Sequence, residues 1–137
     1  TPDRKRNVIT SLELDSALME QRNIDLQKKY HLIEENEVRI EEINCKDAEY
    51  LLIAFGASAR ICQKVIELAR EEGIKNHTEK LKGILTVELN AGQMVEDVRL
   101  AVSGKIPVEH FGRMGGIVPT VEEVLDATKN LIANIQK

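Results

Sequence analysis

The sequence predicts an α/β domain built on a mainly parallel sheet and preceded by a helical arm. Two apolar runs, YLLIAFG at 50–56 and ILTVELN at 84–90, are typical of strands buried on both faces of a parallel sheet. A helical pattern follows each run, and a third short run, IPVEHFG at 106–112, precedes a last helix. Strands that alternate with helices favour a layered domain, because each crossover helix covers the sheet it joins.

The first third of the chain predicts an arm and not a core. Residues 1–44 contain no glycine and are densely charged, so we place the domain at 45–137. Thr10 and Glu13 have the spacing of a capping box, which predicts a helix over 11–35. Its apolar residues keep helical spacing only in part. The helix is therefore either a solvated helix lying across its own domain or an arm that contacts another subunit.

Glycines and capping residues predict the helix ends of the domain. Ser58 is expected to cap a helix that closes at Gly73, and a second helix runs from after Gly92 to Gly104. Thr120 is the expected cap of the last helix, which has two glutamates in its positive first turn. Because aromatic residues make up only 3% of the chain, the core must be aliphatic.

One place breaks the alternation of strands and helices. In EEGIKNHTEKLKGIL, at 71–85, only Ile74 and Lys75 separate the end of one helix from what resembles the tail of another, at 78–81. A crossover strand is expected there and is missing. Either the protein carries a deletion near 75–76, or a segment is absent from the sequence at that point.

Composition excludes several classes of function. The 137 residues carry a net charge of −4 and a pI near 5.5, which disfavours nucleic acid and anionic membranes as partners. No apolar run approaches the roughly 18 to 20 residues of a membrane span, and TPDRKRN lacks the apolar stretch of a secretory signal. We expect a cytoplasmic protein. Cys45 and Cys62 form no CxxC pair, so we expect both to be reduced and structural, without a disulfide framework or zinc site.

Three stretches carry polar residues where α/β proteins bind ligands. Gly56-Ala-Ser58-Ala-Arg60 follows the first strand, but it lacks the motifs of a nucleophile elbow, a dinucleotide site or a P-loop, so a helix cap is favoured over a catalytic Ser58. Asn90, Gly92 and Gln93 follow the second strand, and their amide groups could contact a partner or simply form a tight turn.

The loop Gly112-Arg113-Met114-Gly115-Gly116 is the third stretch and the most unusual one. Its glycines would permit close approach of a backbone or ligand, and Arg113 could pair with a carboxylate or phosphate. The alternative is a connecting loop with its arginine in water.

Glu88 and the three histidines are the remaining polar residues considered as site candidates. Glu88 falls inside an apolar strand, where it must be paired or partly exposed. His31, His77 and His110 lack metal-binding spacing, so no metal site is expected.

The segments DAEYLLIAFGASAR and ILTVELNAGQMVEDVRLAVSGKIPVEHFGRMGGIVPTVEEV together resemble the C-terminal part of the alpha subunit of 2-oxoacid:ferredoxin oxidoreductases of the 2-oxoglutarate and 2-ketoisovalerate type. The resemblance covers most of 47–125. It implies a transketolase C-terminal-like domain, which is a three-layer sandwich on a mostly parallel sheet. Family members carry a further strand, an Arg-Pro-rich turn and a helix at the break near 75–76.

The resemblance also implies a function for the whole enzyme. Such enzymes oxidatively decarboxylate a 2-oxoacid with coenzyme A, giving an acyl-CoA and reduced ferredoxin, in anaerobic metabolism. Thiamine diphosphate, magnesium and iron-sulfur clusters supply that chemistry in the full complex. The implied partners are a thiamine-diphosphate-binding beta subunit, a gamma subunit and ferredoxin, with a homodimer contact also expected.

The leading interpretation assigns no chemistry and no bound cofactor to this chain itself. It serves subunit assembly and shapes the active site, and the residues that would do so at an interface or active-site rim are Asn90, Gly92, Gln93, Arg113, Met114, Gly115 and Gly116. The alternative is a stand-alone regulatory or scaffolding module that binds a protein partner or a small anion, with the arm as its docking helix.

Overall fold

The computed structural model describes residues 12–46, 48–74 and 81–136. These residues fall into two compact units that divide between Glu41 and Glu42. Thr10 and the segment 75–80, where the capping box and the break are predicted, lie outside the described residues. The missing strand near 75–76 therefore stays a prediction.

The described part of the first unit, 12–41, contains one helix, α1, Ser16–Asn36. It begins five residues later than predicted because the carboxylate of Asp15 accepts hydrogen bonds from the backbone N–H groups of Ala17 and Leu18, at 2.9 and 3.1 Å. None of its residues is buried. The large apolar side chains exposed on and before it are Leu12, Leu14, Leu18, Ile24, Leu26, Tyr30, Leu32 and Ile33.

The second unit has the predicted α/β order. The elements among its described residues are β1 Tyr50–Ala54, α2 Gly56–Glu71, β2 Gly83–Glu88, α3 Met94–Val102, β3 Val108–Gly112 and α4 Val121–Ile135. The three strands are parallel in the order β1-β2-β3. The prediction of an α/β fold with a parallel sheet is confirmed.

The sheet separates two helical layers. Leu85 and Val87 of β2 face a core that they share with side chains of α2 and α4. Ile84, Thr86 and Glu88 alternate with them and face the opposite side, where Glu88 receives the first N–H groups of α3. All six residues of β2 are buried because both faces of this central strand are covered.

One predicted cap is wrong. The N-cap of α2 is Phe55, in extended conformation and without a side-chain hydrogen bond, and Ser58 lies in the first helical turn. Ser58 shares the buried stripe of Cys62, Val65 and Ala69, at helical spacing, so its side chain faces the core and cannot cap the helix. The cap at Thr120 is confirmed: its hydroxyl accepts from Glu123 N–H and the Glu123 carboxylate accepts from Thr120 N–H.

Candidate functional site at the carboxyl ends of β2 and β3

The centre of the candidate site is the carboxylate of Glu88, the last residue of β2. Glu88 is 1% exposed, yet it has hydrogen-bonding partners on both oxygens. Oε2 accepts from Gln93 N–H at 3.1 Å and Met94 N–H at 2.9 Å, and Oε1 accepts from Val95 N–H at 3.0 Å. Backbone amides thus compensate the charge that the sequence places in an apolar strand.

These bonds make Glu88 the cap of α3. The N-cap residue Gln93 makes no side-chain capping bond, so the carboxylate from the preceding strand satisfies the free N–H groups in its place. A negative charge at this position also interacts favourably with the helix dipole. Burial alone would raise the pKa of Glu88, but the hydrogen bonds from Met94, Gln93 and Val95, with that of Asn90, outweigh it and hold the pKa below 4.5.

His110 of β3 lies beside this carboxylate. Its Nδ1 is 3.4 Å from Oε1 of Glu88 and 3.3 Å from Oγ1 of Thr86. Both distances are long for hydrogen bonds, whereas the amide bonds to Glu88 are near 3.0 Å. The backbone amides therefore hold the carboxylate, and the imidazole is a weaker additional neighbour.

Two glycines let the loops close over the ring of His110. A Cβ on Gly112 would collide with the carbonyl oxygen of Asn90 and would lie 2.6 Å from Nε2 of His110. Gly92 has φ +111°, and a Cβ there would lie 3.0 Å from Cγ1 of Val95. The two loops are therefore packed so closely that no residue larger than glycine fits at 92 or 112 without displacing its neighbours.

Asn90, Gly92 and Gln93 come together as a turn above the end of β2. Oδ1 of Asn90 accepts from Gly92 N–H at 2.7 Å, while the side chain of Gln93 is exposed. The amide N–H groups at the start of α3, which could have held an anion, already bind Glu88. A partner at this edge would meet side chains and not these amides.

Arg113 joins the same edge to α4. Its N–H donates to the carbonyl of Glu88 at 3.3 Å, and its Nη1 lies 3.4 Å from Oε1 of Glu123. The Nε atom is buried and has no hydrogen-bond partner. The pairing predicted for Arg113 is thus satisfied in part by a carboxylate of this chain, with the side chain still 40% exposed.

The remaining predicted residues, Met114, Gly115 and Gly116, form an exposed turn beyond Arg113. Gly115 and Gly116 have φ values of +69° and +83°, and nothing lies within 4 Å of a Cβ built on either. Their role is conformational, since only the backbone angles require glycine. Met114 is 60% exposed.

Sequence reasoning misses the two residues that organise the site. It predicts that Glu88 is paired or partly exposed without naming a partner, and the structure shows it buried with its partners. It gives His110 no role because that residue lacks metal-binding spacing. The signal is present in the combination of a glutamate at the end of an apolar strand with a helix that has no capping side chain after it. Among the described residues, no group of three or more His, Cys, Asp or Glu side chains could hold a metal ion.

Ser58 and the cysteines lie apart from this site. Ser58 is 1% exposed and its Oγ has no hydrogen-bond partner. Both cysteines are free thiols, and burial raises the pKa of Cys62 to about 11.

The chain is similar to subunits of 2-oxoacid-converting enzymes. It is 36% identical over 144 positions to ketoisovalerate oxidoreductase subunit VorB of Methanothermobacter thermautotrophicus, covering 92% of this chain and 41% of that protein. The same subunit of Methanothermobacter marburgensis is 36% identical over 138 positions, with 88% and 39% covered. The 2-oxoglutarate synthase subunit KorA of M. marburgensis is 29% identical over 98 positions, with 58% and 26% covered.

The chain is related to 2-oxoacid oxidoreductase subunits. It spans about two fifths of the length of the ketoisovalerate oxidoreductase subunits it matches. No family model and no solved structure matches the chain. In the part of the chain that the structure describes, no helix is long and apolar enough to cross a membrane.

The alignments carry one further finding. Since 92% of 137 residues is about 126 residues, the 144-position alignment holds about 18 positions at which the relative has a residue and this chain has none. The same difference is about 17 positions for the second relative and about 18 for the 2-oxoglutarate synthase subunit. The related subunits therefore carry about 18 residues that this chain lacks within the matched region.

Proposed function

We propose that this chain is the C-terminal part of the alpha subunit of a 2-oxoacid:ferredoxin oxidoreductase, and that it acts in subunit assembly and in shaping the active-site rim. The observation that carries the proposal is the 36% identity to ketoisovalerate oxidoreductase subunits over 92% of the chain. The reaction of the whole enzyme would be decarboxylation of a 2-oxoacid with coenzyme A, with two electrons passing to ferredoxin. Ketoisovalerate and 2-oxoglutarate are the two candidate substrates, from the names of the relatives.

The cofactors of that reaction would be held elsewhere in the complex. A [4Fe–4S] cluster needs about four thiolates, and the chain has two cysteines, one of them buried. The described residues also offer no acidic cluster for the magnesium ion of thiamine diphosphate. We therefore assign no step through these groups to this chain.

The carboxyl ends of β2 and β3 would form the active-site rim. Glu88 fixes the start of α3 and, through it, the turn that carries Asn90 and the exposed Gln93. Arg113 stands next to that turn with part of its guanidinium exposed. The carboxyl ends of parallel strands are where α/β sheets bind ligands, so these side chains are placed to meet a substrate group or a neighbouring subunit.

The arm would serve assembly. All residues of α1 are outside any core, and its apolar side chains are exposed on opposite sides of the helix, with Ile24 on one side and Leu26 on the other. A helix of this kind requires partner surfaces. The beta and gamma subunits are the expected partners.

Reconstitution tests the proposal. The parent subunit would be co-expressed anaerobically with its beta and gamma subunits, and coenzyme-A-dependent dye reduction would be assayed with several 2-oxoacids. Arg113→Ala and Gln93→Ala should lower turnover or weaken assembly, whereas Lys105→Ala, at an exposed cation in another loop, should not. An assembled complex without 2-oxoacid activity would refute the proposed reaction, and unchanged activity in both variants would remove these residues from the rim.

A further inference from the structure

In the part of the chain that the structure describes, α2 is the one helix whose first N–H groups have no side-chain acceptor. The carboxylates of Asp15 and Glu88 accept these groups in α1 and α3, and the hydroxyl of Thr120 accepts one in α4. The N-cap of α2 is Phe55, which offers no acceptor, and the first turn of α2 contains no acidic residue. The chain therefore leaves the positive end of this helix dipole without a compensating charge.

Three N–H groups are free at the start of α2. The first hydrogen bond of the helix runs from the N–H of Ala59 to the carbonyl of Phe55, at 3.4 Å. The N–H groups of Gly56, Ala57 and Ser58, which come before it, donate to no described residue. Gly56 has φ +58°, and nothing lies within 4 Å of a Cβ built on it. An acceptor therefore has open access to these groups at the carboxyl end of β1.

The hydroxyl of Ser58 is a fourth donor at the same place. Ser58 is 1% exposed, and its Oγ has no hydrogen-bond partner. It is the third residue of α2, on the core side of the first turn, and Glu123 at the third position of α4 reaches back to the N–H of Thr120. A side chain at this position thus points toward the N-cap. Because buried polar groups are normally paired, the unpaired hydroxyl indicates that an acceptor binds at this end of α2.

The charge and the number of donors favour a phosphate group as that acceptor. Arg60, in the second turn of α2, is exposed and has no ion pair with a described residue. Long side chains on a helix lean toward its N-terminus, so this guanidinium adds to the donors there. A carboxylate has two acceptor oxygens, whereas a phosphate group has three and carries more negative charge. Helix N-termini that follow a strand are established sites for phosphate.

We propose that the start of α2 binds a phosphate group, held by the N–H groups of 56–58, the Ser58 hydroxyl and the Arg60 guanidinium. None of the residues assigned to the active-site rim takes part. The site is formed by one helix of this chain, so it does not depend on the enzyme to which the chain belongs.

Titration of the full 137-residue chain with phosphate tests the site. Inorganic phosphate and methyl phosphate would be added at constant ionic strength while backbone amide signals are followed by NMR. The signals of 56–58 should shift and saturate with a dissociation constant of about 1 mM or less, and acetate should bind at least about tenfold more weakly. The signals of Met94 and Val95 should not shift, because their N–H groups already bind Glu88. The tighter of the two phosphates shows whether the site takes free phosphate or the phosphate ester of a larger ligand.

Two substitutions of Phe55, which is 60% exposed, form a matched pair. Phe55→Asp places a carboxylate at the N-cap, where Asp15 accepts the equivalent two N–H groups of α1. The carboxylate should compete with the ligand, so the affinity for phosphate should fall by at least about tenfold while the melting temperature rises. Phe55→Ala removes the same ring without adding an acceptor and should bind phosphate as the wild type does.

Ser58→Ala separates the hydroxyl from the fold. Alanine leaves no buried donor unpaired, so the melting temperature should not fall, whereas the affinity for phosphate should fall by about fivefold or more. Four results would each overturn the proposal. They are amides at 56–58 that do not respond to phosphate, equal shifts at 94–95, acetate binding as tight as that of phosphate, and unchanged affinity in Phe55→Asp or Ser58→Ala.

Discussion

Oε1 of Glu88 on β2 lies 3.4 Å from Nδ1 of His110 on β3, on the face of the sheet that α3 covers. The same oxygen accepts the N–H of Val95 at 3.0 Å. One buried carboxylate therefore joins the middle strand, the edge strand and the start of a helix. The carboxylate holds the start of α3, which follows the turn of Asn90 and Gly92, while the backbone carbonyl of Glu88 accepts from the N–H of Arg113 in the other loop of the candidate rim.

Glu88→Gln should destabilise the domain. Glutamine keeps one acceptor oxygen but turns an NH₂ group toward the N–H donors of α3, so at least one buried donor loses its partner. The expected loss is about 1 to 3 kcal/mol of unfolding free energy, measured by urea denaturation.

Glu96→Gln is the matched control for that measurement. Glu96 is exposed in the first turn of the same helix, so its change removes a favourable charge near the helix dipole and nothing else. Its effect should be about 0.3 to 1 kcal/mol. Equal effects of the two substitutions would show that Glu88 acts only as a charge and not as the cap.

The contribution of Glu88 to stability should depend on pH in a defined direction. Its folded pKa lies below the ordinary 4.5, so the unfolded chain binds a proton more readily than the folded one. The stabilisation is complete above pH 4.5 and is lost as the pH falls through the lower folded pKa. The difference in unfolding free energy between wild type and Glu88→Gln should shrink in that acidic range. A difference that stays constant from about pH 7 to the acid limit would contradict the lowered pKa.

The sequence was sufficient for the order of elements because that order depends on local patterns. β2 is buried on both faces and appears in the sequence as an apolar run, and the cap of α4 is visible as Thr120 followed by two glutamates. The assignment of Ser58 is wrong because a serine after a turn suits both a cap and the first turn of a helix. Its burial is decided by the sheet beneath it, which no local pattern contains.

The candidate site was predicted only in part for the same reason. Glu88 and Val95 are seven residues apart, but Glu88 and His110 are 22 apart and meet only because β2 and β3 pair with Thr86 beside His110. The need for glycine at 112 likewise comes from the carbonyl of Asn90 in another loop. Strand register and loop packing therefore determine these contacts, and no local sequence pattern contains either of them.

Substitution by alanine and by asparagine should destabilise the protein in opposite orders at Gly112 and at Gly115. At Gly112 the constraint is space, so Gly112→Ala should cost about 1 to 3 kcal/mol and Gly112→Asn more, since the side chain meets the Asn90 carbonyl. At Gly115 the constraint is φ +69° in open space, so Gly115→Ala should cost about 1 kcal/mol and Gly115→Asn less. Thermal denaturation of the four variants gives both orders. The same order at both positions would mean that one of these two causes has been assigned wrongly.

The thiols of Cys45 and Cys62 should differ in reactivity because they differ in burial. Burial of Cys62 against the sheet raises its pKa to about 11, so at about pH 8 little thiolate is present and reagent has no access to it. Cys45 is partly exposed. Native protein should therefore react with a thiol reagent at one site per chain, and at two sites after denaturation, with Cys45→Ser reducing the native value to none. Rapid native labelling in Cys45→Ser would show that α2 separates from the sheet often enough to expose Cys62, and the temperature dependence of that labelling would then measure the opening of the domain core.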